Sequence, residues 1–328
     1  MCNEEHLVVK VKKERAEETM KRVKEQGSLD PTRVPKESGE FLLIPVEEGG
    51  EPVLEELEKR VPRKSPFQKI TERLDIPEDM LPTRWEMVGN VLLFKLSRKL
   101  LDKKESIAEV YAEILGADTV LLQGPIEGVT RRPEVEVVYG DDTETVHVEN
   151  GIKYMLDAAE IMFSSGNIDE RRRMASVVKD KEVVVDMFAG IGYFTLPMAV
   201  HGMPKEIHAL EINPIAYEYL CKNIYLNGVE DVVSAHLGDN REFFLEKSAD
   251  RVIMGYLHET WKFLPKAIEL LDEEGMIHYH CNVKGEKPEK KIKRLLSKET
   301  SNFELLKTKR IKSYAPHVYH MVADVQIG

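Results

Sequence analysis

Cysteine is scarce in this chain, and long apolar runs are absent from it. The 328 residues include 3 cysteines, Cys2, Cys221 and Cys281, and their wide spacing predicts neither a disulfide framework nor a Cys-x-x-Cys metal site. No apolar run is long enough to span a bilayer, and the polar start Met1–His6 lacks the apolar core of a signal peptide. We therefore expect a soluble, cytoplasmic protein.

Positive charge is also in the minority. The formal net charge is −11, which by itself disfavours nucleic acid as a partner. The basic residues are segregated, however, because Lys284–Lys312 contains 11 Lys/Arg against 4 Asp/Glu. Any single basic cluster is equally typical of a solvated helix face. The recurrence of such clusters favours a nucleic-acid partner, and we predict phosphate contacts at Lys284–Lys312, Arg131 and Arg132.

Proline, glycine and hydrophobic periodicity divide the chain into four parts. We predict a small N-terminal α+β unit over residues 1–50, a proline-rich linker over 51–84 and a middle α+β domain over 85–160. From 161 to 328, strands alternate with helices, which predicts an α/β domain with a parallel sheet covered on both faces. Its predicted strands are Glu182–Asp186, Glu206–Glu211, Val232–Leu237, Arg251–Gly255, Met276–Val283 and Val318–Ile327.

One strand–turn–helix segment carries most of the chemical information. Val183–Asp186 is the apolar run of a central parallel strand, and Gly190 and Gly192 allow a sharp turn against which a ligand can lie. The helix that follows points its positive N-terminal end at the same place. Glu211 ends the next strand, where a carboxylate can accept hydrogen bonds from both ribose hydroxyls of a nucleotide. A solvated strand-end carboxylate is the alternative for Glu211.

Two nucleotide cofactors fit this pattern, a dinucleotide and S-adenosylmethionine. A dinucleotide turn has a third glycine, and Thr195 stands at that position. The turn Asp186–Gly192 is instead similar to the first motif of class I S-adenosylmethionine-dependent transferases. Asp239–Asn240 follows the third strand, where such enzymes place groups around adenine, although an ordinary Asp–Asn turn is the alternative.

Three further segments make the resemblance specific: Glu144–Gly151, Phe163–Arg173 and Tyr314–His320. Together with the glycine turn, they resemble segments of the tRNA guanine-37 N1-methyltransferases and their wybutosine-pathway relatives, over nearly the whole chain. This resemblance implies a class I S-adenosylmethionine-dependent transferase fold, Rossmann-like with a mostly parallel sheet, preceded by small N-terminal and middle α+β domains. It also implies S-adenosylmethionine as the co-substrate.

One segment departs from the methyltransferase pattern. Those enzymes carry Asn–Leu–Pro after the fourth strand, whereas Met254–Thr260 stands here and, like Ser164–Asn167, resembles the aminocarboxypropyltransferase branch. That branch transfers the 3-amino-3-carboxypropyl group to C7 of 4-demethylwyosine at position 37, in the anticodon loop of tRNA-Phe, and releases methylthioadenosine. The sulfonium activates three carbons, and the protein selects the one held in line with the nucleophile. Guanine-37 N1-methylation is the nearest alternative.

The resemblance also implies roles for single residues. Those expected at the co-substrate are Ser165 and Arg172 near the amino acid moiety, Asp186, Phe188 and Gly190 near the methionine arm and ribose, Glu211 at the ribose hydroxyls, and Asp239 and Asn240 near adenine. His258 and Glu259 are candidates for removing the C7 proton. The alternative, that these two only shape their loop, is the better supported one.

Other classes of protein stay open. A nicotinamide dehydrogenase is disfavoured by the absent third glycine and by the lack of a paired catalytic constellation. A non-catalytic RNA-binding protein with S-adenosylmethionine as a structural ligand differs by its lack of turnover. In His278–Cys281 the two histidines share one strand face and the cysteine takes the other, so we expect no metal ion there. We expect a monomer.

Overall fold

The computed structural model describes residues 6–53, 57–59, 64–127, 132–246, 248–285, 288–315 and 317–328. The chain divides into two compact units, residues 1–69 and 70–328. The predicted domain boundaries stay a prediction. Among the candidate phosphate contacts, Arg131 and the side chain of Arg132 lie outside the described residues. None of the helices in the described ranges has the length and apolar character that crossing a bilayer needs.

The first unit is built on a four-stranded antiparallel sheet in the order β2-β3-β1-β4. Helix α1 turns Val23 towards the buried Ile44 and Val46, and Gly27 follows its end with a φ of +70°. A positive φ is the conformation in which glycine ends helices most easily. The elements are β1 (His6–Lys12), α1 (Ala16–Glu25), β2 (Lys36–Ser38), β3 (Phe41–Pro45) and β4 (Glu51–Val53).

Helix α2 spans Pro66–Arg73, and a second four-stranded sheet follows in the order β5-β6-β7-β8. Strands β6 and β7 of this sheet are parallel, and helix α3 is the crossover connection that parallel neighbours need. The hydroxyl of Tyr111 on α3 donates to the carbonyl of Pro82 at 2.7 Å. The elements are β5 (Trp85–Val88), β6 (Val91–Phe94), α3 (Lys104–Leu115), β7 (Thr119–Glu127), β8 (Arg132–Tyr139) and the hairpin β9 (Glu144–Glu149) and β10 (Ile152–Asp157).

A seven-stranded mixed sheet forms the rest of the second unit, in the order β13-β12-β11-β14-β15-β17-β16. The first five are parallel to one another, and β17 is antiparallel to both of its neighbours. The elements are α4 (Ile168–Val177), β11 (Val183–Asp186), α5 (Thr195–His201), β12 (Glu206–Glu211), α6 (Pro214–Leu226), β13 (Val233–Leu237), β14 (Ala249–Met254), α7 (Leu264–Leu270), β15 (Leu271–Lys284), α8 (Pro288–Glu299), β16 (Phe303–Ala315) and β17 (Val318–Ile327).

This sheet confirms the predicted α/β alternation and the six predicted strands; β16 was not predicted. Val184 packs in the core on one face and Val185 in the core on the other, since side chains alternate along a strand. The strand order reverses between β11 and β14. In open α/β sheets the crevice at the carboxyl ends of such strands is where ligands bind.

Candidate functional site

A cavity of about 610 Å³ lies at the carboxyl ends of β11, β12 and β14. The turn after β11, the end of β12 and the loop after β14 form much of its wall, so the strand-order reversal of the sheet positions it. Of the residues predicted at the co-substrate, those that line the cavity are Phe188, Gly190, Glu211, Asp239 and Asn240.

Asp186 is fully buried and shapes the glycine turn from behind the cavity wall. One carboxylate oxygen accepts the backbone N–H of Phe188 at 3.2 Å, and the other accepts the hydroxyl of Thr195 at 2.8 Å. Burial raises the pKa of Asp186 to about 6, although these hydrogen bonds act in the opposite direction. In the turn, Gly190 has a φ of +58°, and a Cβ there would lie 2.6 Å from the ring of Tyr193.

Glu211 joins the glycine turn to the end of β12. Its Oε2 accepts the backbone N–H of Gly190 at 2.8 Å, and its Oε1 accepts that of Asn213 at 2.7 Å. Burial raises the pKa of Glu211, and the backbone N–H donors partly offset that effect. Each carboxylate oxygen can accept more than one hydrogen bond, so Glu211 can also accept hydroxyl donors from a ligand in the cavity.

Asn240 and Asn167 each bring a buried amide oxygen to the wall of the cavity. Asn240 Nδ2 donates to the carbonyl of Met187 at 2.7 Å. The Oδ1 atoms of Asn240 and Asn167 have no hydrogen-bond partner among the described residues. An unsatisfied buried acceptor costs about 1–3 kcal/mol, so a ligand that carries N–H or O–H donors would fit here. Next to Asn240, the Arg241 guanidinium lowers the pKa of Asp239.

The segment before α4 reaches the cavity through residues adjacent to the predicted ones. Ser164 and Arg171 line the cavity, whereas Ser165 and Arg172 are exposed and lie outside its lining. The backbone N–H of Ser165 donates to Glu86 Oε1 at 2.9 Å. Helical periodicity explains why Arg171 points inward, because it shares the buried face of α4 with Glu170 and Met174. The predicted contacts of Ser165 and Arg172 with the amino acid moiety stay a prediction.

Arg171 is buried and pairs with Glu149 on β9. Its Nε donates to Glu149 Oε1 at 2.7 Å, and its Nη1 donates to the carbonyl of Ser164 at 2.8 Å. Lys312 Nζ from β16 donates to the Ser164 hydroxyl at 2.8 Å. This bidentate pair and the lysine hold the Ser164–Asn167 segment against the cavity.

Tyr256 lies in the segment where the methyltransferase pattern would have Asn–Leu–Pro, and it belongs to an aromatic cluster. The ring of Tyr256 stacks on that of Phe188, with centroids 5.3 Å apart and planes 17° apart. Phe263 meets Phe188 edge-on at 5.0 Å. All three residues line the cavity, and a flat aromatic wall is suited to stacking against a nucleobase.

His258 and Glu259 are exposed and lie outside the cavity lining. Glu259 has a φ of +51°, and Lys262 Nζ donates to its Oε2 at 2.7 Å. Thr260, in the same loop, donates to the carbonyl of Tyr256. The role of His258 or Glu259 as the base that removes the C7 proton stays a prediction.

Several lining residues lie in segments that the sequence singled out but were not themselves predicted as site residues, among them Asn167, Arg171, Tyr256, Lys312 and His320. A helical wheel of α4 would have identified Arg171 as the inward arginine. Lys312 was missed as a site residue because its strand, β16, reads as a polar, basic stretch.

Three models of known protein families match successive parts of this chain. Residues 145–306 match the TRM5/TYW2 methyltransferase domain, residues 70–143 match the TYW2 N-terminal domain, and residues 9–55 match the tRNA methyltransferase 5 N-terminal domain. The three matches follow one another along the chain, and the match over residues 145–306 includes strands β11 to β15 of the sheet that carries the cavity.

The individual relatives have two different activities. The chain is 48% identical over 260 residues to the tRNA(Phe) (4-demethylwyosine(37)-C(7)) aminocarboxypropyltransferase of Pyrococcus horikoshii, across 77% of this chain and 93% of that one. It is 35% identical over 339 residues to the tRNA (guanine(37)-N(1))-methyltransferase Trm5b of Pyrococcus abyssi, across 98% of this chain and 99% of the other. The crystal structure of P. horikoshii TYW2 in complex with MeSAdo superimposes with a TM-score of 0.72 and 44% identity, over 80% of this chain and 98% of that one.

Proposed function

The chain belongs to the TRM5/TYW2 methyltransferase family, and from this premise we propose that it is a tRNA aminocarboxypropyltransferase. It transfers the 3-amino-3-carboxypropyl group of S-adenosylmethionine to C7 of 4-demethylwyosine in tRNA(Phe). The observation that carries this conclusion is its 48% identity to the P. horikoshii enzyme of that name, against 35% to the N1-methyltransferase Trm5b.

S-adenosylmethionine is the co-substrate, and the cavity offers groups for each part of it. We propose that Glu211 accepts the ribose hydroxyls and that Asn240, with Asp239 beside it, meets the adenine through its unpartnered amide oxygen. Phe188 and Gly190 then flank the methionine arm and ribose, while Asp186 holds the turn in shape. The structure of P. horikoshii TYW2 in complex with MeSAdo supports a ligand of this kind for the fold.

The choice of carbon follows from how the methionine arm is oriented. The Tyr256–Phe188 stack forms one wall, and the Ser164–Asn167 segment, held by Arg171, forms another. Between these walls we propose that Cγ of the co-substrate, rather than its methyl group, faces the nucleophile in line at near-attack distance. Adenosine binding needs no change for this switch, since the sulfonium activates all three attached carbons.

The finer statements about partner and place are also proposals. Relatives named for position 37 support the anticodon loop of tRNA-Phe as the segment acted on. Because the substrate is tRNA, we propose that the protein works in the cytoplasm. We propose that it acts as a monomer. We also propose that it acts without a metal ion, since the chemistry relies on a sulfonium leaving group that needs no Lewis acid.

Product analysis tests the function. Purified enzyme is incubated with carboxyl-labelled S-adenosylmethionine and tRNA-Phe that carries 4-demethylwyosine, and the nucleosides and small products are separated by mass spectrometry. We expect the label in the modified nucleoside and methylthioadenosine in solution. A parallel reaction uses tRNA-Phe that carries guanine at position 37. Release of S-adenosylhomocysteine there, with an unlabelled, methylated base, would identify an N1-methyltransferase instead, and the absence of turnover on both tRNAs would indicate a non-catalytic binding protein.

Substitution of Glu211 tests the ribose contact. E211A should weaken S-adenosylmethionine binding by about 1.5–3 kcal/mol, the usual value of hydrogen bonds to a charged group, as measured by calorimetry. E218A, at an exposed glutamate of α6, is the matched control and should bind normally. Wild-type affinity in a folded E211A protein would refute the assignment.

A further inference from the structure

A pair of histidines connects the cavity to a buried polar network behind it. His280 on β15 and His320 on β17 are 0% and 2% exposed. Both point away from the core that contains Tyr279 and Met321, because side chains alternate along strands. His280 Nδ1 lies 3.0 Å from His320 Nε2. Of the two, His320 is the one that lines the cavity.

A buried carboxylate stands behind this pair. Glu170 on α4 is 1% exposed, and its Oε1 lies 4.0 Å from His280 Nε2. Arg173 Nη2 donates to Glu170 at 2.6 Å, and Arg173 also pairs with Asp324 at 2.8 Å. The order from the cavity inward is therefore imidazole, imidazole, carboxylate. Glu170 itself pairs with Arg173 and Lys309, so the contact that orients His320 is the one between the two imidazoles.

The proposed reaction releases a proton that needs an acceptor. An electron pair of the base forms the bond from C7 to Cγ, and the Cγ–S bond breaks with its pair passing to sulfur, which leaves as neutral methylthioadenosine. C7 then carries both its hydrogen and the new substituent. The C–H pair restores the conjugated ring when the proton leaves, so each turnover releases one proton.

We propose that His320 is the catalytic residue that accepts this C7 proton, and that His280 is the positioning residue that holds its tautomer. When His320 Nε2–H donates to His280 Nδ1, Nδ1 of His320 carries the lone pair that takes the proton. His280 then has its own proton on Nε2, 4.0 Å from Glu170 Oε1. The inference rests on the proposed function.

An isotope experiment on the whole enzyme tests it. Single-turnover transfer is measured with tRNA-Phe whose 4-demethylwyosine carries hydrogen or deuterium at C7. Wild-type enzyme should show no primary isotope effect, since bond formation to carbon limits the rate. H320Q should react about 10²–10⁴-fold more slowly, as when a general base is lost, and should show a primary isotope effect because proton loss now limits the rate. Unchanged S-adenosylmethionine affinity would show that the variant is folded.

The matched control breaks a similar contact elsewhere. His208 Nδ1 and His236 Nε2 lie 3.2 Å apart on β12 and β13, and neither residue lines the cavity. H236Q should transfer at the wild-type rate without an isotope effect. A wild-type rate in H320Q, or an isotope effect that appears in H258A and not in H320Q, would overturn the inference. If wild-type enzyme releases S-adenosylhomocysteine, the proposed function itself fails.

A second pair of variants keeps the test decisive if H320Q does not fold. H280N retains a side-chain hydrogen-bonding atom near the place of the imidazole Nδ1, whereas H280L does not. We expect H280L to lose rate and show the isotope effect, and H280N to recover most of the rate. Equal rates in the two variants would remove His280 from its positioning role and overturn the inference.

Discussion

At the scale of single residues, two carboxylates shape the glycine turn, that of the buried Asp186 and that of the partly buried Glu211. Asp186 and Glu211 both accept backbone N–H groups of the glycine turn, at 3.2 and 2.8 Å. The sequence placed both at strand ends: Asp186 ends an apolar run, and Glu211 ends a strand of mixed composition. It did not show that Asp186 would lie behind the wall, since burial depends on how the turn folds over the strand.

Asp186 should make stability depend on pH. Its pKa in the folded protein is about 6, above the ordinary value of 3.8, so the folded state binds more protons than the unfolded state between these values. The free energy of unfolding should therefore fall as pH rises through this window, by about 3 kcal/mol at most for a shift of this size. D186N removes the titration, so its stability relative to wild type should increase from pH 4 to pH 7 by about that amount.

Urea unfolding at a series of pH values measures this difference. D231N, at an exposed aspartate, serves as the control and should track wild type at every pH. A constant difference between D186N and wild type across the series would contradict the prediction, since it would mean that Asp186 titrates alike in both states.

At the scale of elements, the apolar pattern of the sequence predicted most strands of the large sheet, but one strand was missed. Val318–Ile327 was predicted with the bounds of β17, because its apolar residues are nearly continuous. Phe303–Ala315 was missed because Lys307, Lys309 and Lys312 make it resemble a solvated stretch. It forms β16 at the sheet edge, where lysines are common since they discourage pairing with other chains.

Helix α4 shows a similar limit on a shorter scale. Three consecutive arginines cannot be ranked by composition, and only the helical phase separates them. Arg171 turns inward to pair with Glu149, and Arg172 turns outward. From this segment, Ser164 and Arg171 line the cavity, and the predicted contacts of the neighbouring Ser165 and Arg172 stay a prediction.

Substitution of the two arginines should separate these roles. R171A leaves Glu149 buried without its partner and should destabilise the fold by about 3–5 kcal/mol, with weaker S-adenosylmethionine binding. R172A, at an exposed position, should change the free energy of unfolding by no more than about 0.5 kcal/mol. Urea unfolding and calorimetry measure both. A loss of affinity in R172A without loss of stability would instead support its predicted contact with the amino acid moiety.

At the scale of the whole molecule, net charge and local charge point in opposite directions. A chain with a net charge of −11 repels a polyanion at long range, so tRNA binding requires that positive charge be concentrated. Helix α8 does this: Ile292 and Leu296 are buried, while Lys290, Lys293 and Arg294 are exposed. The amphipathic spacing places one side of the helix in the core and leaves its basic side in solvent.

Charge reversal on α8 should weaken tRNA binding through its electrostatic part. Lys290 and Arg294 lie one turn apart on one side of the helix. In K290E/R294E, the affinity for tRNA-Phe should fall, and the slope of log K against log salt should shrink by about 0.7–0.9 for each phosphate that the variant no longer neutralises. Filter binding at several salt concentrations measures both quantities. S-adenosylmethionine affinity should be unchanged, because the cavity is lined by other residues.

The control must carry the same total charge, since a more negative protein repels tRNA wherever the charge is placed. Lys181 and Lys205 are exposed and flank the amino ends of β11 and β12, at the opposite end of these strands from the cavity. K181E/K205E therefore matches the net charge of the α8 variant without altering α8. If both double variants lose affinity equally and keep the wild-type salt slope, α8 makes no phosphate contacts and the basic segment is only a solvated helix face. If only K290E/R294E loses affinity and slope, α8 forms part of the tRNA surface.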